Sequence, residues 1–473
     1  MTSPFKVLIA GAGPGGCILA RDLAYAGIDV TVYEKGDIDS LGHSWSDAVE
    51  RIALETVGIE VPDVSSTNTG PLVKVPGNED DGNAIFEQHA YPDMDVWAPD
   101  YSCKKQIKFR YITTDRRALG RLLAKQALEA GAVFQYKHEV SAPVVEGSTL
   151  NDVFVKGAQV KNLETGEMYT VDADVTVDDT GYPAVLRTQL PTETGIARPF
   201  TNDEFALVFR TVRERDKNQT NADHVPDHYR YAYNTGYQWA QVLNENEIDI
   251  GAGIKLGADV MQPRETVEAY ISRHQSITKN KIRGGGGHCL VGISPFSLVA
   301  GGFMAIGDAA SQTIPMTGCG AGGAMVGGKL AAETIIAASK TGKTDIGALW
   351  PYNLSWFVTS GRGCNFAALT ALRNILQTVS NEDNSYLFRK DIFSGEMLTA
   401  SINGIFQKPT LSLMIKTLTR CIGRPGLLMK LNQATTIGTK LYKHYLDYPQ
   451  SWSPDRFEKW LKKADRLFAK TNP

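Results

Sequence analysis

Residues 5–34 read FKVLIAGAGPGGCILARDLAYAGIDVTVYE, and this stretch decides the fold. The apolar run 5–10 is followed at once by glycines, which predicts a short buried strand. A helix is expected from about residue 13 to residue 26, where Gly27 ends it, and 28–33 has the alternation of a second strand. Strand, glycine loop, helix and strand in this order predict the start of a parallel α/β sheet.

The glycine loop has the spacing G-x-G-x-x-G at Gly11, Gly13 and Gly16. The first glycine makes a tight turn, the second lets the backbone approach a pyrophosphate, and the third lets the helix pack on the strand. The helix N-terminus adds free N–H groups for the anion. Glu34 ends the second strand, where a carboxylate accepts hydrogen bonds from a ribose 2′-OH and repels a 2′-phosphate. We assign the dinucleotide contacts to Gly11, Gly13, Pro14, Gly15, Gly16, Glu34 and Lys35; a glycine turn without a ligand is the alternative.

A second segment lies far along the chain. Residues 304–310 read MAIGDAA, an apolar strand that ends in Gly-Asp, and a Pro and a Gly-x-Gly follow. This segment resembles the GDAA…P…GxG segment of FAD-dependent oxidoreductases related to aromatic hydroxylases. The resemblance implies that FAD is the cofactor, that Asp308 binds its ribityl chain, and that the next helix N-terminus faces the flavin pyrimidine edge. The flavin contacts implied are Gly307, Asp308, Pro315, Gly318 and Gly320.

Two further segments resemble the same family. Residues 114–119 resemble its Arg-led helix, which implies that Arg116 reaches the cofactor; Arg117 and a solvated arginine are the alternatives. Residues 178–181 read DDTG and resemble the D-A-T-G form of geranylgeranyl reductases, which adds Asp179 and Gly181 to the cofactor contacts.

The geranylgeranyl reductase branch is indicated by two more stretches. Tyr237-Gln238-Trp239 resembles the Y-x-W core of the motif that lines the lipid cavity of those reductases, and 352–393 with the helical tail resembles archaeal digeranylgeranylglycerophospholipid reductases. Tyr237 and Trp239 are therefore candidate substrate-binding residues, and core aromatics of a strand are the alternative. Asn234, Gln241 and Val242 replace the proline, phenylalanine and proline of that motif. The family's cysteine–glycine segment is absent, with 42–47 reading GHSWSD in its region.

The resemblance implies an FAD-dependent enzyme that reduces isolated C=C bonds of a geranylgeranyl or polyprenyl lipid by hydride transfer from reduced FAD. An FAD-dependent monooxygenase acting on an aromatic or other small molecule is the alternative. Candidate proton donors are His43, Asp47, Cys319 and Tyr237. No second complete dinucleotide fold is present in the sequence, so we expect electrons from NAD(P)H or from a reduced ferredoxin.

Composition narrows the class of protein. The chain has 473 residues and a net charge of −3, which gives no indication of nucleic-acid binding. The six cysteines form no CxxC pair, so we expect no metal site and reduced thiols. No signal peptide or transmembrane span is expected, which suits a cytoplasmic location. Residues 397–446 contain seven cations and no acid among apolar side chains, so we expect peripheral contact with an anionic membrane; a solvated basic face is the alternative.

Together these patterns predict an α/β protein (α+β overall) of three parts. Residues 1–195 and 285–345 form a discontinuous Rossmann-like FAD-binding domain. Residues 196–284 form an antiparallel-sheet, substrate-binding insert, and 346–473 form a helical C-terminal region.

Overall fold

The computed structural model describes residues 4–61, 86–87, 93–108, 110–149, 152–216, 218, 228–233, 235–244 and 246–471. The chain opens as the sequence predicts, with strand β1 (Lys6–Ala10), helix α1 (Pro14–Tyr25) and strand β2 (Asp29–Glu34). Most of the acidic stretch 62–92 lies outside the described residues.

The other strands follow in chain order: β3 (Ser46–Glu50), β4 (Phe86–Glu87), β5 (Asp93–Trp97), β6 (Lys104–Lys108), β7 (Tyr111–Asp115), β8 (Val133–Tyr136), β9 (His138–Glu146), β10 (Phe154–Asn162), β11 (Met168–Asp172), β12 (Val175–Asp178), β13 (Phe205–Arg215), β14 (His228–Tyr233), β15 (Gly236–Asn244), β16 (Glu247–Lys255), β17 (Ile277–Leu290), β18 (Val299–Ala300) and β19 (Phe303–Ala305). The other helices are α2 (Arg51–Thr56), α3 (Arg116–Ala130), α4 (Pro263–Ser272), α5 (Ala321–Ser339), α6 (Ile346–Leu349), α7 (Pro351–Leu354), α8 (Arg362–Leu376), α9 (Asn381–Arg389), α10 (Gly395–Ile402), α11 (Leu411–Arg420), α12 (Pro425–Leu446) and α13 (Pro454–Phe468).

A six-stranded sheet in the order β18-β19-β12-β1-β2-β8 carries the dinucleotide motifs. All its pairs are parallel except β18–β19, and the central strands are buried, as apolar runs in a parallel sheet predict. Helices α1 and α5 pack closely where a Cβ on Gly328 would lie 2.2 Å from the Gly15 carbonyl oxygen. The carboxyl ends of β1, β2, β12 and β19 therefore share one edge, which is where ligands bind in such sheets.

A seven-stranded sheet in the order β17-β13-β16-β15-β14-β5-β6 lies beside it, antiparallel except for β14–β5. The sequence indicates strands at 205–212 and 237–254, and the structure has β13, β15 and β16 there. Strands β5, β6 and β17 were not expected. β6 is rich in exposed lysine and β17 contains four consecutive glycines, so neither has the apolar alternation by which strands are recognised.

The C-terminal part is helical, as the sequence predicts, and the predicted α/β fold class is confirmed. Helix α12 packs along α8, and a cluster of aromatic rings ties α12 to α13. Helix α11 differs from its neighbours because none of its residues is buried. Among the residues that the structure describes, no helix combines the length and the apolar run needed to cross a bilayer.

Candidate flavin and substrate site

The glycine loop at 11–16 has close backbone contacts that require glycine at Gly11 and Gly13. Gly11 has a φ of +105°, and a Cβ there would lie 2.4 Å from the carbonyl oxygen of Asp179. A Cβ on Gly13 would lie 2.6 Å from the Asp179 carboxylate, which accepts the N–H of Gly16 at 2.8 Å. Burial raises the pKa of Asp179 well above its usual range. The loop is thus pressed against β12, with the α1 N-terminus facing the sheet edge.

Glu34 holds the loop from the other side. One carboxylate oxygen accepts the N–H of Ala12 at 2.8 Å, and the other accepts the N–H of Gly36 at 2.8 Å. Both bonds fix the carboxylate at the end of β2. Glu34 and Lys35 lie next to the loop but outside the wall of the cavity described below.

Asp178 and Asp179 have different surroundings although they are neighbours. The Asp178 carboxylate accepts the backbone N–H groups of Thr180, Leu186 and Arg187 within 3.0 Å, so it organises the turn after β12. Asp179 instead lines the cavity. Successive side chains at a strand end point to opposite sides. Asp178 therefore organises the turn, and Asp179 lies at the cavity.

The second motif lies beside the first, because β19 pairs with β12 and a Cβ on Gly307 would lie 2.7 Å from the Asp179 carboxylate. Gly307 has a φ of +60°, and Asp308 is held by a hydrogen bond from the Thr313 hydroxyl at 3.2 Å. A Cβ on Gly320, which precedes α5, would lie 2.9 Å from the Asp308 carboxylate. Burial raises the pKa of Asp308, and Arg116 opposes this. Asp308 and the α5 N-terminus therefore meet at one point of the cavity.

Arg116 and Arg117 point in different directions. Arg116 lines the cavity, its Nη1 lies 3.9 Å from Asp47, and its buried Nε has no hydrogen-bond partner among the described residues. Arg117 is exposed and is not part of the cavity wall. Of the two alternatives, the structure brings only Arg116 to the site.

One cavity of about 1320 Å³ joins these elements. The candidate residues that line it are His43, Asp47, Cys319, Tyr237, Trp239, Gly13, Pro14, Arg116, Asp179, Gly181, Gly307, Asp308, Pro315, Gly318 and Gly320. Gly11, in the loop, and Gly15 and Gly16, in the first turn of α1, are not part of the cavity wall. The far part of the cavity is apolar, with walls from α11 and α12 that include Leu411, Met414, Ile415, Leu418 and Met429.

Several cavity residues had not been identified from the sequence. Arg210 on β13 forms a buried ion pair with Asp249 on β16, and its Nη1 also lies 3.4 Å from Asp47. The Trp239 indole N–H donates to Asp249 at 3.1 Å. The sequence signal for this ion pair is the arginine within the apolar run FALVFRTV, because a charged residue in a buried strand requires a partner of opposite charge.

The candidate proton donors have distinct surroundings. The His43 ring lines the cavity and stacks on the Trp45 ring, with ring centroids 4.5 Å apart. Burial is the main cause that lowers the pKa of His43, and the positive charge of Arg116 lowers it further. The Tyr237 hydroxyl donates to the carbonyl oxygen of Thr317 at 2.5 Å. Cys289 lies against Gly318, near Cys319, and burial raises its pKa. Cys289 lies in none of the motifs by which the sequence predicts the site.

The residues fit a flavin dinucleotide in three respects. At Gly13 and Gly320 a Cβ would collide with the Asp179 and Asp308 carboxylates, so only glycine leaves room there. The space beside these two glycines is called the flavin cradle below. The Arg116 Nε is a buried donor without a described partner at the cavity wall. The N-termini of α1 and α5 both open toward the same edge of the parallel sheet, where anionic groups are stabilised.

Comparison with known proteins agrees with this geometry. No family model matches the chain. It is 26% identical to the digeranylgeranylglycerophospholipid reductase of Sulfolobus acidocaldarius over 474 aligned residues, covering 99% of this chain and 98% of the relative. It is 27% identical to the enzyme of the same name from Methanosphaerula palustris, covering 76% of this chain and 83% of the relative.

Solved structures share the fold. A geranylgeranyl bacteriochlorophyll reductase-like protein from Thermoplasma acidophilum superposes with a TM-score of 0.66 at 17% identity, covering 91% of this chain and 99% of that one. A flavin-dependent halogenase superposes with a TM-score of 0.56 at 15% identity, covering 99% of this chain and 78% of the other. The likeness shows that the chain shares the fold of these proteins, and the suspected relationship to geranylgeranyl reductases is confirmed by the sequence relatives. The chain is an oxidoreductase homologous to the digeranylgeranylglycerophospholipid reductases, on a fold that it shares with flavin-dependent enzymes.

Proposed function

We propose that this protein binds FAD and reduces isolated C=C bonds in the geranylgeranyl or polyprenyl chains of a lipid. The observation that carries the proposal is the single cavity, whose one end is the flavin cradle and whose other end is an apolar cleft between α11 and α12. A cavity of this shape suits a long apolar chain better than a small aromatic molecule, because most of its far wall offers no polar partner.

The cofactor contacts divide between the two motifs. We assign the pyrophosphate to the loop at Gly13 and the α1 N-terminus, and the adenosine ribose to Glu34. Asp308 takes the ribityl chain, and the backbone at Gly318 and Gly320 faces the pyrimidine edge of the ring. When bound, reduced FAD supplies a hydride to one alkene carbon.

The chain's own residues orient the alkene, exclude water and deliver a proton to the other alkene carbon. An unactivated double bond is a poor hydride acceptor, so a dry, tight wall around it matters. A hydrogen bond to Asp249 holds the Trp239 ring, and a hydrogen bond to Thr317 holds the Tyr237 ring. Both rings therefore have fixed orientations at the cavity wall. We propose His43, Asp47, Cys319 and Tyr237 as the proton-donor candidates, since all four line the cavity.

The proposed division of labour follows the predicted domains. We propose that residues 1–195 and 285–345 hold FAD. The sheet of 196–284 and the helices of 346–473 hold the lipid. The electrons come from NAD(P)H or from a reduced ferredoxin. Met94 and Val96 of β5 also line the cavity, so we add this strand of the seven-stranded sheet to the proposed substrate wall.

We further propose that α11 contacts a membrane from the cytoplasmic side. Leu411, Met414, Ile415 and Leu418 follow helical spacing, are all more than half exposed and also line the cavity mouth. Two of the seven cations of 397–446 pair with acids from outside that stretch, Lys416 with Asp391 and Arg424 with Glu382 and Asp383. The apolar face therefore contributes more to this contact than the charge does.

Incubation of the dithionite-reduced protein with a geranylgeranylated glycerophospholipid, followed by mass analysis, tests the proposed reaction. The expected product gains hydrogens in pairs, under argon as well as in air. A product that instead gains oxygen, and forms only in air, would support the monooxygenase alternative.

A further inference from the structure

One face of the seven-stranded sheet forms the cavity floor, and its strand register aligns residues in two rows. In the first row Val208 on β13 pairs with Gly287 on β17 and with Gly253 on β16, and Gly253 pairs with Tyr237 on β15. The second row is built in the same way, with Arg210 between Gly285 and Gly251, and Gly251 beside Trp239. Both rows therefore alternate a glycine with a side chain.

The glycines of the second row are covered by rings. A Cβ on Gly251 would lie 2.0 Å from the Trp239 indole, and a Cβ on Gly285 would lie 3.2 Å from the Trp45 indole. Arg210 lies between them, with its guanidinium 5.7 Å from the Trp239 ring. This row is filled by the rings and the Arg210–Asp249 pair, and it forms a wall.

The glycines of the first row are open. A Cβ on Gly287 would meet no atom within 4 Å, and a Cβ on Gly253 would meet only Val208, at 3.6 Å. Both glycines line the cavity, and neither has a positive φ. Two other glycines of β17 differ from Gly287: Gly284 has a φ of +133°, and a Cβ on Gly286 would lie 2.9 Å from the Val208 carbonyl oxygen.

Glycine within a strand is less stabilising than alanine, because it loses more backbone entropy on folding and has no side chain to pack. At Gly287 and Gly253 neither backbone conformation nor packing requires it, so the open space itself is what the two glycines provide. That space is a smooth track across the sheet, with Tyr237 at one end and the second row as its side wall.

We propose that the track over Gly287, Val208 and Gly253 carries the methyl-branched hydrocarbon chain of the substrate and determines specificity by its width. The proposal rests on the proposed function, which it deepens. A side chain at Gly287 would project into the track without disturbing the sheet, so it would exclude a branched chain and leave the flavin cradle intact.

The test is a binding titration of the oxidised, FAD-loaded protein with geranylgeranyl diphosphate, followed by the change in flavin absorbance. Gly287→Leu should weaken binding about tenfold and Gly287→Ala by a smaller factor, with flavin content unchanged. Lys281→Leu, which adds the same side chain at an exposed position of β17, should bind like the wild type.

Equal affinity of Gly287→Leu and the wild type, in protein with full flavin, would overturn the track. Because the oxidised protein does not turn over, this result is separate from the proposed function, which fails only if the reduced wild type leaves the prenyl double bonds intact.

Discussion

Arg210 and Asp249 pair across β13 and β16 at the cavity floor, with Asp249 only 1% exposed and Arg210 10% exposed. The Arg210 Nε lies 3.2 Å from one carboxylate oxygen, and Asp249 also accepts the Trp239 indole N–H. A charge pair this deep is costly to form and more costly to break, because removing one partner leaves a buried charge that is not compensated. It fixes the position of Trp239, and with it the wall of the substrate track.

Replacing one partner should therefore destabilise the fold. Asp249→Asn breaks the closest ion pair of the buried guanidinium, whose Nη1 also lies 3.4 Å from Asp47, and we expect a loss of about 3 kcal/mol in urea unfolding. The double variant Arg210→Met/Asp249→Leu, which removes both charges, should recover much of that loss. A single variant as stable as the wild type would show that the pair does not hold the sheet.

Flavin content should distinguish the two adjacent arginines. Arg116→Ala removes a cavity-lining donor and should lower FAD occupancy and weaken FAD binding about tenfold, since a hydrogen bond to a charged group contributes about 1.5–3 kcal/mol. Arg117→Ala changes an exposed residue of the same helix and serves as the matched control. The measurement is the ratio of flavin to protein absorbance after gel filtration. Equal loss in both variants would contradict the assignment.

Membrane contact should depend on the exposed face of α11. Ile415→Gln/Leu418→Gln replaces two apolar side chains that are each 55% exposed, and we expect at least a tenfold loss of binding to anionic phosphatidylglycerol vesicles in sedimentation. Ile52→Gln alters a comparably exposed apolar residue on α2 and should leave vesicle binding unchanged. Vesicle binding that is insensitive to the α11 changes would remove this helix from the interface.

Acid should destabilise the C-terminal helices through His444. This ring is buried, stacks on Trp460 with centroids 4.7 Å apart, and burial lowers its pKa, partly offset by the hydrogen bond to the Trp460 carbonyl. The unfolded chain therefore binds a proton more readily than the folded one. The contribution of neutral His444 is complete above a pH of about 6.5 and is lost as the pH falls through the lower folded pKa.

His444→Gln removes this titration. Its melting temperature should fall less than that of the wild type between pH 7 and pH 5, when each protein is compared with its own value at pH 7. Parallel pH profiles for the two proteins would show that His444 does not contribute to acid sensitivity.

The parts of the site that sequence could predict are those carried by short, contiguous motifs. The loop at Gly11–Gly16 and the strand end at Asp308 are local structures, because their glycines are required by backbone geometry within a few residues. The helices of the C-terminal region are predicted equally well, because their apolar residues recur at helical spacing.

What sequence could not predict depends on pairing between distant strands. The register that places Gly287 beside Val208, or Asp249 beside Arg210, is set by the assembled sheet and leaves no local pattern. The glycine run of β17 is visible in the sequence, yet glycine disfavours strands in general, so its meaning appears only with the cavity above it. The seven cations of 397–446 look unopposed in sequence because the acids that pair with two of them come from α9 and the turn after it.

The central claim is that the flavin and a prenyl chain share one cavity and react there. The most direct measurement is anaerobic stopped-flow of the dithionite-reduced protein mixed with a geranylgeranylated lipid, following flavin absorbance without oxygen. We predict reoxidation of the flavin at a rate that saturates with lipid, and a slower rate in Trp239→Ala. A flavin that stays reduced until air is admitted would contradict the account.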